Sequence, residues 1–348
     1  MLAAVWDFTK RHKGKIIAGG ILVGSAAAYA LSANDKKVLE KKHISTDLPR
    51  QARRHYIFDS THRSCDTSIT DLIPSLTTQI EARFDTEKIQ QELMADEELS
   101  SYHKIELWTK LKINTFAKIV AVAYGFSILT LTLKAQISIL AADTCAQYEK
   151  RTQKPSWQQY LPESVGSFLA KENDLAAENS MDVGNRRIFL QCVQFFTLKG
   201  FAYLMAEIEK AVSEELKDWS LSDPRSKEEA RDLFDKIGTR LNIQGSLIKY
   251  VAPVGADEPD SSVTELLQKL IDNLRSTKSI DILNSLLDFY FSASLKMVDQ
   301  EHQQQLAKLI PAIDAAYPML TSRAFDSPLF NSLYSSDIHQ FAVHVFNS

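Results

Sequence analysis

Residues 104–142 constrain this sequence more than any other stretch, because they can form one very long helix. The stretch contains no proline and a single glycine, so no residue in it is a strong helix breaker. When its first half is wound at about 100° per residue, the apolar side chains cover an arc of roughly 240°. A helix on the surface of a domain needs an apolar stripe only somewhat wider than about 100°. This helix must therefore be buried on a second side, either in its own domain or against a partner.

Trp108 lies at the edge of this arc, with Lys104 and Lys112 one turn before and after it on the same face. A tryptophan between two lysines suits an apolar anchor that receives an acidic amphipathic helix. A core tryptophan whose neighbouring lysines extend to solvent gives the same pattern. The residues alone leave both interpretations open.

The composition predicts an all-α protein. Among 348 residues there are only 11 glycines and 10 prolines, which favours long helices over a turn-rich β architecture. The net charge of −4 gives no overall case for nucleic-acid binding. Cys65, Cys145 and Cys192 have no zinc-site spacing, and we expect reduced thiols in a cytosol-facing domain.

No catalytic motif is present in the sequence. It contains no GxGxxG, P-loop, GxSxG or HExxH pattern, and its eight histidines are scattered. We therefore expect neither an enzyme nor a cofactor or metal site.

The N-terminal residues predict a membrane anchor. A basic cluster at 10–15 is followed by seventeen uncharged residues at 16–32, which span about 25 Å as a helix. We predict a targeting segment at 1–15, a transmembrane anchor at 16–32 and a charged stalk at 33–50. A cleaved signal peptide and a buried helix are the alternatives for the uncharged run. Residues 51–348 are predicted to form a single large bundle of long helices.

A second uncharged run, residues 119–133, lies between Lys118 and Lys134. It is short for a bilayer crossing and contains Tyr124 and three hydroxyl side chains, so we predict burial inside the bundle. An alternative function is a lipid-handling or enzymatic domain in which this run lines an apolar cavity. A closed core around Tyr124 would argue against that alternative.

Capping residues mark two helix starts. Asp85 is suited to be the N-cap of a helix that runs to Met94. Ser226 and Glu229, three residues apart, match a capping box directly after a break at Asp223 and Pro224. We therefore expect helices to begin after Asp85 and after Ser226.

Five stretches along the chain form a family pattern. They are the start with Trp6, Phe8 and KRHK at 10–13, QARRHYIFDSTHRSC at 51–65, DLIPSL at 71–76, KIELWTKLKI at 104–113 and LAKLIPAI at 306–313. Together, and in this order, they resemble the peroxin-3 family of peroxisomal biogenesis factors. The stretches at 51–65 and 104–113 are the most specific.

The resemblance implies an integral peroxisomal membrane protein whose all-helical domain faces the cytosol. In the family, this domain docks peroxin-19, the farnesylated import receptor that carries newly made peroxisomal membrane proteins. An amphipathic helix of peroxin-19 lies in a groove at the membrane-distal end of the bundle. The implied partners are thus peroxin-19 with its cargo and peroxisomal membrane lipids. The family's groove residues fall on Trp108, Lys104, Ile105, Leu111, Lys112, Leu93, Gln90 and Lys308.

Overall fold

A computed structural model describes residues 47–95, 100–152, 189–252, 261–298 and 303–348. These segments are almost entirely helical, which confirms the predicted all-α class. In chain order the helices are α1 (Asp47–Arg83), α2 (Thr86–Ala95), α3 (Ser101–Thr152), α4 (Phe201–Glu215), α5 (Lys227–Leu241), α6 (Ile243–Val251), α7 (Ser261–Arg275), α8 (Thr277–Ser294), α9 (Leu306–Asp314), α10 (Tyr317–Thr321), α11 (Pro328–Leu333) and α12 (Ser336–Asn347). The predicted segments at 1–15 and 16–32, and the stalk as far as residue 46, lie outside the described residues.

Short non-α elements join these helices. Helical residues 189–195 and a π-helical turn at Phe196–Gly200 lead into α4, and a 3₁₀ turn at Leu295–Met297 follows α8. Two-residue strands β1 (Pro224–Arg225) and β2 (Gln304–Gln305) pair antiparallel. This pairing fixes the loop after α4 to the start of α9.

Helix α3 is the centre of the bundle. It packs against α1, α2, α4, α7, α8, α9 and α12, and every residue from 114 to 141 is buried. By length and composition, residues 101–147 could cross a membrane, because an 18-residue window within them has a mean hydropathy of 1.8. All of that window is buried inside the protein. The prediction that residues 119–133 are buried in the bundle is therefore confirmed.

Aromatic side chains close the core around Tyr124. The ring centroid of Tyr124 lies 6.4 Å from that of Phe291, and those of Phe126 and Tyr290 are 6.2 Å apart. The Phe201 ring packs so closely on Gly125 that a Cβ there would lie 2.5 Å from it. This packing argues against an apolar ligand cavity around residues 119–133.

Helices α1 and α3 run antiparallel, which sets the two ends of the molecule. Phe58 near the start of α1 shares a cluster with Cys145 of α3, whereas Thr86, just after α1, accepts a hydrogen bond from Lys118 Nζ at 3.0 Å. The first turns of α3, residues 101–112, therefore extend beyond the end of α1. We call these turns the α3 tip. Trp108 lies in the tip, about 55 Å along the helix axis from Cys145.

Candidate functional site

Three elements meet at the α3 tip, and they carry all eight site residues predicted from the sequence. Helix α3 packs against α2, which carries Gln90 and Leu93, and against α9, which carries Lys308. Asp85 begins α2 as predicted, because its carboxylate accepts the Lys88 backbone N–H at 2.9 Å. The structure thus brings residues that are more than 200 positions apart in the sequence to one end of the bundle.

The α3 tip exposes an apolar row. Tyr102 is 81% exposed, Ile105 is 62% exposed, and Trp108 is half-buried against the main core. These residues follow each other at intervals of three, so they are neighbours on the helix surface. Met94, at the end of α2, is also exposed. Contiguous exposed apolar side chains are typical of an interaction site.

The predicted lysines occupy different environments. Lys308 is exposed on α9, and Lys104 is half-exposed one turn before Trp108. Lys112 differs from the expected charge at the rim of a groove, because it is buried. Its ammonium donates to the carbonyls of Leu216 at 3.0 Å and Trp219 at 2.7 Å.

The surroundings of Lys112 explain this placement. The two acceptor carbonyls lie just after the C-terminus of α4, where backbone carbonyls lack helical partners and a cation is favoured. Burial lowers the pKa of Lys112, and the negative charge of Asp223 opposes this shift. Lys112 therefore ties the loop after α4 to the α3 tip.

The remaining predicted residues also point partly inward. Leu111 is buried in the core, and Leu93 packs against that core while keeping part of its surface exposed. The half-buried Gln90 donates its side-chain amide to Asp314 Oδ2 at 3.3 Å. Only part of the predicted set is thus available to a partner in this conformation.

The sequence predicted a break at Asp223 and Pro224, but it did not indicate that the loop at residues 216–225 lies beside the candidate site. Trp219 is half-buried, with its ring edge-on to Phe116 at 6.3 Å and the Arg225 guanidinium 4.4 Å from its centroid. Leu221 accepts a hydrogen bond from the Ala307 backbone N–H at 3.1 Å. The loop lies between Lys112 and the start of α9, and it adds a second tryptophan beside the α3 tip.

The described segments show neither an activated cysteine nor a metal-binding group. The side chains of Cys65, Cys145 and Cys192 are buried, and burial raises the pKa of Cys65 and of Cys192 to about 12. Within the same segments, no group of three or more histidine, cysteine or acidic side chains is placed to hold a metal ion. The arrangement at the α3 tip is suited to recognising another protein surface.

Comparisons with known proteins identify the family that this chain resembles. A family model described as Peroxin-3 matches residues 94–315, which include the α3 tip and Lys308. Peroxisomal biogenesis factor 3 of Bos taurus is 24% identical over 395 residues, covering 100% of this chain and 98% of the relative. The Homo sapiens protein of the same name is 23% identical with the same coverage. Peroxisome biogenesis protein 3-1 of Arabidopsis thaliana is 21% identical, covering 90% of this chain and 89% of the relative.

Proposed function

This chain belongs to the Peroxin-3 family, and from that premise we propose that it is a membrane-anchored docking receptor for peroxin-19 loaded with peroxisomal membrane proteins. The family supports the broader role in peroxisome biogenesis and membrane protein import. The observation that carries the more specific proposal is the exposed apolar row of Tyr102, Ile105 and Trp108 at the α3 tip. The role is one of binding, without catalysis.

The partner binds as an amphipathic helix in a groove between α2, α3 and α9. Trp108 is the central apolar anchor, with Ile105 and Leu93 beside it and Leu111 supporting it from the core. The partly exposed Lys104 of α3 and the exposed Lys308 of α9 attract acidic residues of the partner. The two remaining predicted residues, Lys112 and Gln90, make hydrogen bonds inside the protein. Lys112 fixes the neighbouring loop, and Gln90 belongs to the α2 wall of the groove.

The direction of the chain supports a membrane-distal site. The proposed anchor at 16–32 and stalk at 33–50 lead into the start of α1, at the end of the bundle opposite the α3 tip. A docking domain at 51–348 then presents Trp108 to the cytosol, far from the peroxisomal membrane and its lipids. A reporter fused to residues 1–45 should reach peroxisomes and resist carbonate extraction. Release of the reporter into the carbonate supernatant would contradict the anchor.

Association kinetics test the docking function. Residues 35–348 should bind a peptide of the peroxin-19 N-terminal helix saturably, and the association rate should fall as salt rises, since salt screens attraction between charges. Lys104→Glu combined with Lys308→Glu should slow association about tenfold at low salt and weaken its salt dependence.

The charge-matched control is Lys236→Glu combined with Lys269→Glu, at exposed positions of α5 and α7, which should leave the association rate unchanged. The absence of saturable binding by the unmodified protein would contradict the docking function. Equal rates for the double variant and the control would exclude Lys104 and Lys308 from the site.

A further inference from the structure

We propose that Asp314 and Gln90 are positioning residues of this docking site: they hold α2 against α9 and thereby set the width of the groove. The inference rests on the docking function proposed above. It assigns Gln90 a role through Asp314 rather than through contact with the partner, and it adds Asp314, which sequence reasoning did not identify.

A compact polar network joins the three helices of the site. The Thr86 hydroxyl donates to Asp314 Oδ1 at 3.1 Å, and the Gln90 amide donates to Asp314 Oδ2 at 3.3 Å. Lys118 Nζ lies 3.7 Å from Asp314 Oδ1 and donates to the Thr86 hydroxyl at 3.0 Å. The Lys118 and Asp314 side chains are only 8% and 16% exposed. The Asp314 carboxylate, the Lys118 ammonium and the Thr86 hydroxyl thus provide one another's polar partners. Because water is largely excluded there, each of these interactions is stronger than it would be at the surface.

The same network reaches α1 through Tyr317. The Lys118 ammonium lies 4.1 Å from the centroid of the Tyr317 ring, and the Tyr317 hydroxyl donates to Glu81 at 3.2 Å. Burial and the negative charge of Glu81 raise the pKa of Tyr317, which keeps its hydroxyl protonated and able to donate. Lys118, which itself packs on Tyr317, therefore holds Asp314 in place as an acceptor for α2.

Helix α2 depends on this acceptor. It has ten residues, of which Thr86 and Ile89 are buried, and isolated helices shorter than about 12–15 residues are marginal in water. Thr86 and Gln90 are one turn apart on the same face, so two bonds to one carboxylate fix both the tilt and the rotation of α2. Tertiary contacts of this kind decide where so short a helix lies.

The position of α2 sets one wall of the groove. Leu93 is three residues after Gln90, on a neighbouring part of the same helix surface, so any movement of α2 displaces Leu93. Asp314 belongs to the same helix as Lys308, on the opposite wall. The hydrogen bond between Gln90 and Asp314 therefore connects the two walls of the groove. Its loss should let α2 move relative to α9 without removing a contact to the partner.

A double-mutant cycle on partner affinity tests this role. Gln90→Ala and Asp314→Ala in the full 348-residue chain should each weaken binding of the peroxin-19 helix peptide, by about tenfold. If Gln90 acts through Asp314, the double variant binds no more weakly than Asp314→Ala alone, because the two residues serve one link. Gln91→Ala, at the exposed neighbouring glutamine on α2, is the matched control and should keep full affinity.

Hydrogen exchange distinguishes positioning from general destabilisation. In Gln90→Ala and Asp314→Ala, exchange should accelerate at the amides of α2 while α8 keeps its protection. If Asp314→Ala does not fold, Thr86→Val tests the same link, since it removes the hydroxyl between Lys118 and Asp314, and should weaken binding with the same local exchange pattern.

Multiplicative losses in the double variant would show that Gln90 contacts the partner independently and would overturn the inference. So would full affinity in a folded Asp314→Ala or Thr86→Val protein, or exchange that rises equally in α2 and α8. Failure of the unmodified protein to bind the peptide would instead refute the docking function itself.

Discussion

The fold opposes ionisation of His62, which is buried between α1 and α3. One ring nitrogen lies 3.1 Å from Ser138 Oγ, and the Phe58 ring packs against the imidazole at 4.1 Å between centroids. Burial, followed by the positive charges of Lys134 and His339, lowers the pKa of His62 from 6.5 to about 3. The neutral form of His62 is therefore the one that fits this part of the core.

This shift predicts an acid-sensitive step in stability. Below pH 6.5 the unfolded chain binds a proton at His62 that the folded chain does not, so stability falls with decreasing pH, down to about pH 3, where the folded protein also binds it. Between pH 7 and pH 5 this residue should account for a loss of about 2 kcal/mol. His62→Gln should remove that part of the loss, whereas His55→Gln, at an exposed position of α1, should not. Urea unfolding of the three proteins at pH 7 and pH 5 measures the difference. An undiminished loss in His62→Gln would contradict the assignment.

Single residues could be predicted from the sequence where the cause is local. The i, i+4 spacing correctly placed Lys104, Trp108 and Lys112 along one helix. It could not reveal that Lys112 is buried, because its acceptor carbonyls lie 104 and 107 residues further along the chain. Such distant partners decide whether a lysine beside a tryptophan is exposed at the surface or is buried and hydrogen-bonded to backbone carbonyls.

At the scale of elements, the π-helical turn at Phe196–Gly200 brings two backbones into close contact. The Gln79 amide donates to the Thr197 carbonyl in this turn at 2.8 Å. At its end, Gly200 lies against the carbonyl of Tyr250 in α6, and a Cβ on Gly200 would overlap that carbonyl. Only glycine permits this approach between α4 and α6.

Two identical substitutions with opposite effects test this packing. Gly200→Ala should destabilise the domain by about 1–3 kcal/mol or more, because the Tyr250 backbone cannot move aside as a flexible side chain could. Gly245→Ala, at an exposed position inside α6 with ordinary contact distances, should stabilise it by about 0.5–1 kcal/mol. Denaturant unfolding of both variants checks the pair. A neutral Gly200→Ala would contradict the close approach.

Helices that begin or continue because of neighbouring residues could be predicted from the sequence. Elements that depend on residues far away in the chain could not. The capping box of Ser226 and Glu229 forms as expected, with both reciprocal hydrogen bonds. The absence of helix breakers correctly indicated the long α3. The π-helical turn has no comparable local signal, since its partner Gln79 lies 118 residues earlier.

At the scale of the whole molecule, one central helix links two ends with different roles. Helix α3 carries Trp108 at one end and packs Cys145 under α12 at the other, next to the start of α1. The sequence predicted the helical bundle and the helices that carry the proposed site residues. It did not predict the loop at 216–225 as part of that end, because the pairing of β1 with β2 joins segments about 80 residues apart.

One variant tests whether Trp108 anchors a partner helix, as we propose, or stabilises the core. Truncating a central aromatic anchor typically weakens binding by about 30- to 1,000-fold, whereas truncating a core tryptophan costs about 3–5 kcal/mol of folding stability. The decisive measurement is the affinity of Trp108→Ala for peroxin-19 together with its melting transition, with Tyr203→Ala, an exposed aromatic on α4, as the control.

We expect Trp108→Ala to lose affinity within that range while melting close to the unmodified protein, and Tyr203→Ala to retain both properties. Normal affinity in a folded Trp108→Ala protein, or a collapsed melting transition that explains the loss of binding, would contradict the account.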